Sequence, residues 1–293
     1  MRITFWGVRG SIPTPGPATL QYGGNTTCIE IRTADGDLLI LDAGTGIHAL
    51  AQSLKAGDPA DAHILITHTH WDHIHGLPFF SPILIPGNRL TIYGGQDPVT
   101  GEGIERALSV QLQYSYFPIR EAELKANVQY VTLKPDATAQ IGSASVTPVL
   151  LNHPVLNFGY RIEADGKALF FTGDYEPPFN IYAPEDKEFQ PYQEIVDGQL
   201  LRVTEAMADV DVLIVDASYT EEEYPAKMGW GHGTYQAAIE QAAAAHTGQL
   251  IFTHHEPGRS DAQLDAIFAE ISTRHGGSGI RYHMAREGMQ IDL

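Results

Sequence analysis

Apolar residues recur along this chain in short runs of two kinds of spacing. Residues 1–8 and 26–32 alternate apolar and polar, and 38–42 reads Leu-Leu-Ile-Leu-Asp. Runs of four to eight such residues, bounded by Gly, Pro and Asp, predict strands. Asp35-Gly36 falls between two of them and predicts a hairpin turn. Ile47, Leu50, Ala51 and Leu54 then take the spacing of a helix face. By the same reasoning strands are predicted over 63–66, 88–93, 128–133, 145–151, 158–164, 168–171, 210–215, 249–253, 279–282 and 288–291. Helices are predicted over 102–113, 195–208, 235–245 and 261–274, with a short one joining Glu121 to Lys125. Residues 13–24 read as a Pro- and Gly-rich loop. Residues 175–192 read as a polar surface segment, and Leu77-Pro78-Phe79-Phe80 as packing residues. Periodicity alone specifies mixed α and β structure.

Charge narrows the partners. The 293 residues carry 36 Asp and Glu against 18 Lys and Arg, a net charge of −18. That excess opposes broad contact with nucleic-acid backbones or anionic membranes, both of which rely on cations. No stretch reaches the length of a membrane span, and residues 1–7 lack an apolar signal core. Cys28 is the single cysteine, which excludes an internal disulfide and fits a reducing cytoplasm. The Glu221-Glu222-Glu223 run reads as a solvated face.

The chemistry concentrates where the apolar run 63–66 ends, in Thr67-His68-Thr69-His70-Trp71-Asp72-His73-Ile74-His75-Gly76. Alternate residues of an extended segment point the same way, so His68 and His70 can share one ion. Asp72 and His73 follow as the chain turns into a helix and can reach a second. Imidazole nitrogen and carboxylate oxygen suit a borderline cation such as zinc.

This His-x-His-x-Asp-His stretch resembles the signature of the metallo-β-lactamase fold superfamily. The Gly-Val-Arg-Gly-Ser-Ile-Pro and Tyr-Gly-Gly-Asn-Thr runs within residues 7–26 resemble a bacterial branch near ribonuclease Z and the cyclic-nucleotide phosphodiesterases of that fold. The resemblance runs from Ile3 to Met289. It implies one α+β domain over residues 1–293, built as a four-layer αββα sandwich. It also implies three further ligands at strand ends, and His153, Asp174 and His254 stand at such places. On this reading His68, His70 and His153 hold one metal, Asp72, His73 and His254 the second, and Asp174 bridges them. The ions would be two divalent cations, zinc first, with manganese or iron also fitting the donors. His255 adjoins His254 and competes for its place; otherwise it supports the site from behind or faces substrate. Asp42 either caps the helix that follows it or, as the resemblance implies, braces the metal loop.

Two such ions lower the pKa of a bridging water, which makes hydroxide attack available at neutral pH. A poor leaving group then needs a proton. Gly231-His232-Gly233-Thr234 resembles the His-Ser-Thr loop of ribonuclease Z, whose His is that acid, although Gly233 departs from the pattern. Asp216-Ala217-Ser218-Tyr219 resembles the segment that orients it. His232 is therefore the expected general acid, Asp216 its partner, and Asp72 belongs to the catalytic group. The plainer alternative is that His232 packs beside the next helix. Candidate base-stacking residues are Trp71, Tyr93, Tyr116, Tyr219 and Trp230; Tyr93 and Tyr116 read as packing, and Trp230, beside His232, as the substrate contact. The expected activity is hydrolysis of a small phosphodiester, a 3′,5′-cyclic nucleotide first among them, by a cytoplasmic homodimer with no extended nucleic-acid surface and no membrane contact. Ribonuclease Z, a thioester or lactone hydrolase, and a metal-stabilised binding module are the alternatives.

Overall fold

Leu38, Leu39, Ile40 and Leu41 are all buried. Leu39 and Leu41 join one apolar cluster and Leu38 and Ile40 another, because successive side chains leave a strand on opposite faces. A strand with no solvated side needs a layer on each face. The computed structural model, which describes residues 1–54, 60–97, 99–277 and 279–293, shows those layers.

The strands are β1 (Arg2–Gly7), β2 (Cys28–Arg32), β3 (Leu38–Leu41), β4 (Asp61–Leu65), β5 (Arg89–Gly94), β6 (Asn127–Thr132), β7 (Ala139–Ile141), β8 (Ala144–Leu151), β9 (Asn157–Ala164), β10 (Lys167–Phe171), β11 (Val212–Asp216), β12 (Gln249–Thr253), β13 (Arg281–Met284) and β14 (Gln290–Asp292). They form two seven-stranded sheets, ordered β14-β1-β2-β3-β4-β5-β6 and β13-β12-β11-β10-β9-β8-β7. In the first, β14 to β3 pair antiparallel and β3 to β6 parallel. In the second, β7 to β10 pair antiparallel and β10 to β13 parallel. The helices are α1 (Gly46–Ser53), α2 (Trp71–Ile74), α3 (Ile104–Gln111), α4 (Phe189–Ala206), α5 (Tyr235–Ala244) and α6 (Asp261–His275).

Three apolar clusters glue four layers. The central one joins Phe5, Ile31 and Leu41 of the first sheet to Phe158, Tyr160 and Ile214 of the second. Ile40, Ile64 and Ile92 on the first sheet's outer face cluster with Ile47 and Leu50 of α1 and Ile104 and Leu108 of α3. Phe170, Leu213 and Phe252 on the other outer face cluster with Val203 of α4, Ile239 of α5 and Leu264 and Ile271 of α6. The result is the αββα sandwich of an α+β protein. Among the described residues no helix is long and apolar enough to cross a membrane.

The structure corrects several boundaries. The helix expected from 195 begins at Phe189, with Pro191 in its first turn, where a missing N–H leaves no bond unmade. Residues 175–192 are not wholly surface, since Tyr175 and Glu176 are buried. The Glu121–Lys125 helix is only a 3₁₀ turn over Glu121–Glu123, because the Lys125 amide already turns to the Ile83 carbonyl as the chain enters β6. The strand expected over 279–282 starts at Arg281, after Gly279 turns at positive φ. Strand β7 carries no alternation long enough to be read. Phe79, expected to pack, is 58 % exposed, unlike its neighbours Leu77 and Phe80.

The central cluster sets the stability of the sandwich. Phe158→Ala, at a fully buried position, is expected to cost about 3–5 kcal/mol of unfolding free energy. Leu20→Ala on the surface is expected to change it by under about 0.5 kcal/mol. Urea unfolding followed by circular dichroism checks both.

Candidate metal centre

Strands β4, β8, β10, β11 and β12 deliver their C-terminal ends to one edge of the sandwich. His68, His153, Asp174, Asp216 and His254 lie at or just beyond those ends. Chain continuity after β4 does the rest: His70 precedes α2, whose Asp72 and His73 are buried while Trp71 is exposed. The structure thus brings all seven expected ligands together in two groups that share Asp174: His68, His70 and His153 in one, Asp72, His73 and His254 in the other. A third group joins Asp174 to Asp216, His232 and His254.

The spacings suit cations. His70 Nδ1 lies 3.1 Å from His153 Nε2, and His68 Nε2 lies 3.5 Å from Asp174 Oδ2. In the second group His73 Nε2 and His254 Nε2 stand 3.0 and 3.1 Å from Asp174 Oδ1, and 3.4 and 3.3 Å from Asp72 Oδ2. Zinc–ligand bonds of about 2.0–2.1 Å in a tetrahedron set neighbouring donors about 3.3 Å apart. His68 Nε2, His73 Nε2 and Asp174 Oδ1 are moreover buried without a hydrogen-bond partner. Buried polar atoms are rarely left so unless something else takes them up. The donor set therefore fits two divalent cations.

Electrostatics agree. Burial holds His68, His70 and His153 below the usual histidine range, in the neutral form that binds metal. Burial would raise Asp72 and Asp174, but the surrounding imidazoles hold both well below the carboxylate range. Burial would lower His73 and His254, yet the carboxylates, Asp174 first, hold both above theirs. The same carboxylates that raise these two rings would hold a cation there.

Ligand rings are fixed from behind, as metal-binding imidazoles require. Asp42 sits at φ +59°, in the left-handed region, which turns its side chain back under the loop. Its Oδ1 accepts from the Thr67 amide at 2.8 Å and its Oδ2 from His73 Nδ1 at 2.7 Å. The residue before α1 is Thr45, so Asp42 does not cap that helix. His153 Nδ1 donates to the Gly231 carbonyl at 2.9 Å. The Ser11 amide donates to Asp72 Oδ2 at 2.6 Å.

Backbone direction separates His254 from His255. His254 adopts φ +57° and its ring enters the cluster, while His255 points away, fully buried. His255 Nε2 donates to the Ala285 carbonyl at 2.8 Å, and its ring meets Tyr22 edge to face. Gly10 is obligatory here, because a Cβ would lie 2.3 Å from the His254 ring.

His232 Nδ1 lies 2.7 Å from Asp216 Oδ2 and 3.9 Å from Asp174 Oδ2. Ser218 Oγ, in the segment singled out with Asp216 but given no role of its own there, lies 2.8 Å from both Asp216 Oδ1 and the His254 carbonyl. The loop carrying His232 is organised by another unexpected residue. Glu176 is buried and accepts from Tyr224 Oη at 2.7 Å, the Gly229 amide at 2.8 Å and the Gly231 amide at 2.9 Å. Its donors are mostly backbone groups, which no motif encodes. Trp230 is exposed on this loop, with Lys227 Nζ 4.1 Å from its ring centre, and belongs to neither ligand group. Tyr93 is packed, whereas Tyr116 is exposed rather than packed.

Two outcomes follow from this geometry. Asp174→Ala is expected to reduce bound metal from two ions per chain to at most one, read by elemental analysis of the purified protein; two retained ions would contradict the shared ligand. Glu176→Gln is expected to cost about 2–3 kcal/mol of stability. It should also expose the Gly229 and Gly231 amides to hydrogen exchange while distant strands stay protected.

The profile of the Beta-lactamase superfamily domain matches residues 38–255, from β3 to the residue after His254. A ribonuclease Z of Staphylococcus haemolyticus is 25 % identical over 93 % of this chain and 94 % of its own. The metallo-beta-lactamase fold protein YhfI of Bacillus subtilis superposes with a TM-score of 0.67 at 20 % identity, covering 99 % of both chains. Unliganded yeast PDE1 superposes with a TM-score of 0.64 at 18 % identity, covering 100 % of this chain and 99 % of its own. Because that match spans residues 38–255, which include the histidine-rich signature and all seven expected ligands, this chain belongs to the β-lactamase superfamily.

Proposed function

We propose that this protein is a metal-dependent hydrolase of small phosphodiesters, a 3′,5′-cyclic nucleotide first among them. The observation that carries the reading is the His232–Asp216 pair standing against Asp174. Zinc is the first candidate metal, because five imidazoles and two carboxylates make a nitrogen-rich set. Bound there, two divalent cations would offset the charge of a phosphate and lower the pKa of a water.

The chain's own residues do the rest. Asp216 takes His232 Nδ1–H, which leaves Nε2 as the nitrogen that meets substrate. Burial would lower His232, but Asp216, with Asp174 and Asp72, offsets this and raises it to about 9. Cations at Asp174 would draw that value down toward neutrality, where an acid also returns its proton readily. An alkoxide leaves poorly without a proton, so His232 matters most for alkyl and sugar esters of phosphate. Thioesters and lactones need it less. Trp230 presents one face to Lys227, and its other face is open to an aromatic part of the substrate. The same reading carries a cytoplasmic homodimer.

The name of the Staphylococcus relative supports a second reading, cleavage of precursor tRNA. Charge weighs against it. The chain has half as many cations as acids, and exposed Arg89, Arg106, Arg120 and Arg274 are already paired with Asp61, Glu102, Glu123 and Glu270. Long RNA binding needs free cations in number.

His232→Ala is expected to keep two metals per chain. Its kcat should fall about 10²–10⁴-fold on a cyclic nucleotide, whose leaving group is an alkoxide, and under about tenfold on bis-p-nitrophenyl phosphate, whose leaving group departs unaided. Equal losses on both would remove the acid role. Cleavage of precursor tRNA with no turnover of any cyclic nucleotide would replace this reading by the second.

A further inference from the structure

Helix α2 has two faces. Asp72 and His73 point into the metal centre, while Trp71 and Ile74 line a separate pocket of about 420 Å³ with Phe79 of the following turn. Helix α3 closes its other wall with Val110 and Gln111, and Tyr116 and Phe117 complete it. Trp71 and Tyr116 are 78 % and 68 % exposed. Phe79 meets Phe117 edge to face, with ring centres 5.4 Å apart. Four large aromatics gathered on the surface of so acidic a protein are unusual, and exposed apolar patches mark binding sites.

Three features specify the occupant. Among the described residues no Asp, Glu, Lys or Arg lines the pocket and His75 is its one basic side chain, which suits an uncharged guest. The walls are aromatic and the volume is that of a small-molecule site, which suits a flat group. Gln111 Nε2 is buried without a hydrogen-bond partner, so the guest must offer an acceptor if that donor is to be satisfied. The pocket adjoins the stretch that carries the expected ligands. Thr69 and Trp71 bracket the ligand His70, and Thr69 and Ala107 line both this pocket and a neighbouring one that contains the ligand His68.

We propose that this pocket binds the planar, uncharged heteroaromatic group of the substrate, a nucleobase by its chemistry, while the phosphodiester lies at Asp174. This rests on the phosphodiesterase reading and adds the class of substituent the enzyme selects. Trp230, already faced by Lys227, is the weaker of the two aromatic stations.

The test uses two esters with one leaving group, thymidine 5′-(p-nitrophenyl phosphate) and ethyl p-nitrophenyl phosphate. The metal-loaded wild type is expected to prefer the nucleoside ester in kcat/KM by about tenfold or more, the scale of one base–aromatic stack. Val110→Glu and Gln111→Leu, both on the outer part of α3, are expected to collapse that ratio toward one. A ratio that both variants leave intact would overturn the pocket. Quenching of tryptophan fluorescence by thymidine 5′-monophosphate, present in the wild type and lost in Val110→Glu, reads the pocket without turnover. If neither ester is hydrolysed but this quenching difference holds, the phosphodiesterase reading fails and the pocket stands. If light scattering shows a dimer that Val110→Glu splits, with ratio and quenching unchanged, the aromatic face is an interface between copies and the proposal falls.

Discussion

One buried carboxylate faces five imidazoles. Asp174 lies within 3.0–3.9 Å of His68, His73, His153, His232 and His254, and it is almost wholly shielded from water. A buried charge is tolerated only when opposite charge surrounds it. Asp72 and Asp216 add negative charge to the same pocket, so neutral imidazoles alone would leave it unbalanced. The carboxylates raise His73 and His254 above the usual histidine range, and divalent cations would balance the charge more fully. Most features of this edge of the sandwich serve to hold those groups close together.

The holding is done by carboxylates one step further out. Asp42 ties the Thr67 amide to the His73 ring, Asp216 ties His232 to the end of β11, and Glu176 gathers the amides of the loop in between. Each converts a mobile loop or ring into one with a single arrangement. The loop held by Glu176 serves two of the expected site residues: the Gly231 carbonyl accepts from His153, and the next residue is His232. One short, glycine-flanked segment therefore positions both rings.

The proposed substrate is an anion, whereas the chain carries a net charge of −18. On that proposal attraction for phosphate would be confined to the few ångströms around Asp174, where cations would sit, while the rest of the acidic surface would repel long polyanions. Beyond the metals the surface becomes apolar rather than basic, with Trp71, Phe79 and Tyr116 beside His70. A small ester with an uncharged aromatic part matches both halves of that description.

The sequence by itself determined the elements and the ligand motif. Period-two and helical spacing marked most strands and helices, since burial of one or both faces writes itself into local pattern. The spacing of His68, His70, Asp72 and His73 is likewise local, because one strand end and one helical turn place all four. The distant ligands were legible only through family resemblance: nothing near His153, Asp174 or His254 in the chain says which strand ends meet. Tertiary structure alone placed the His254 ring in the cluster, through a left-handed backbone there, and set the Asp42 carboxylate against Thr67 and His73. It alone exposed Glu176, read from its polar neighbours as surface, and Tyr116, read as packing. These outcomes depend on what lies across a loop or between two helices, and contacts between residues far apart in the chain leave no periodic trace in it.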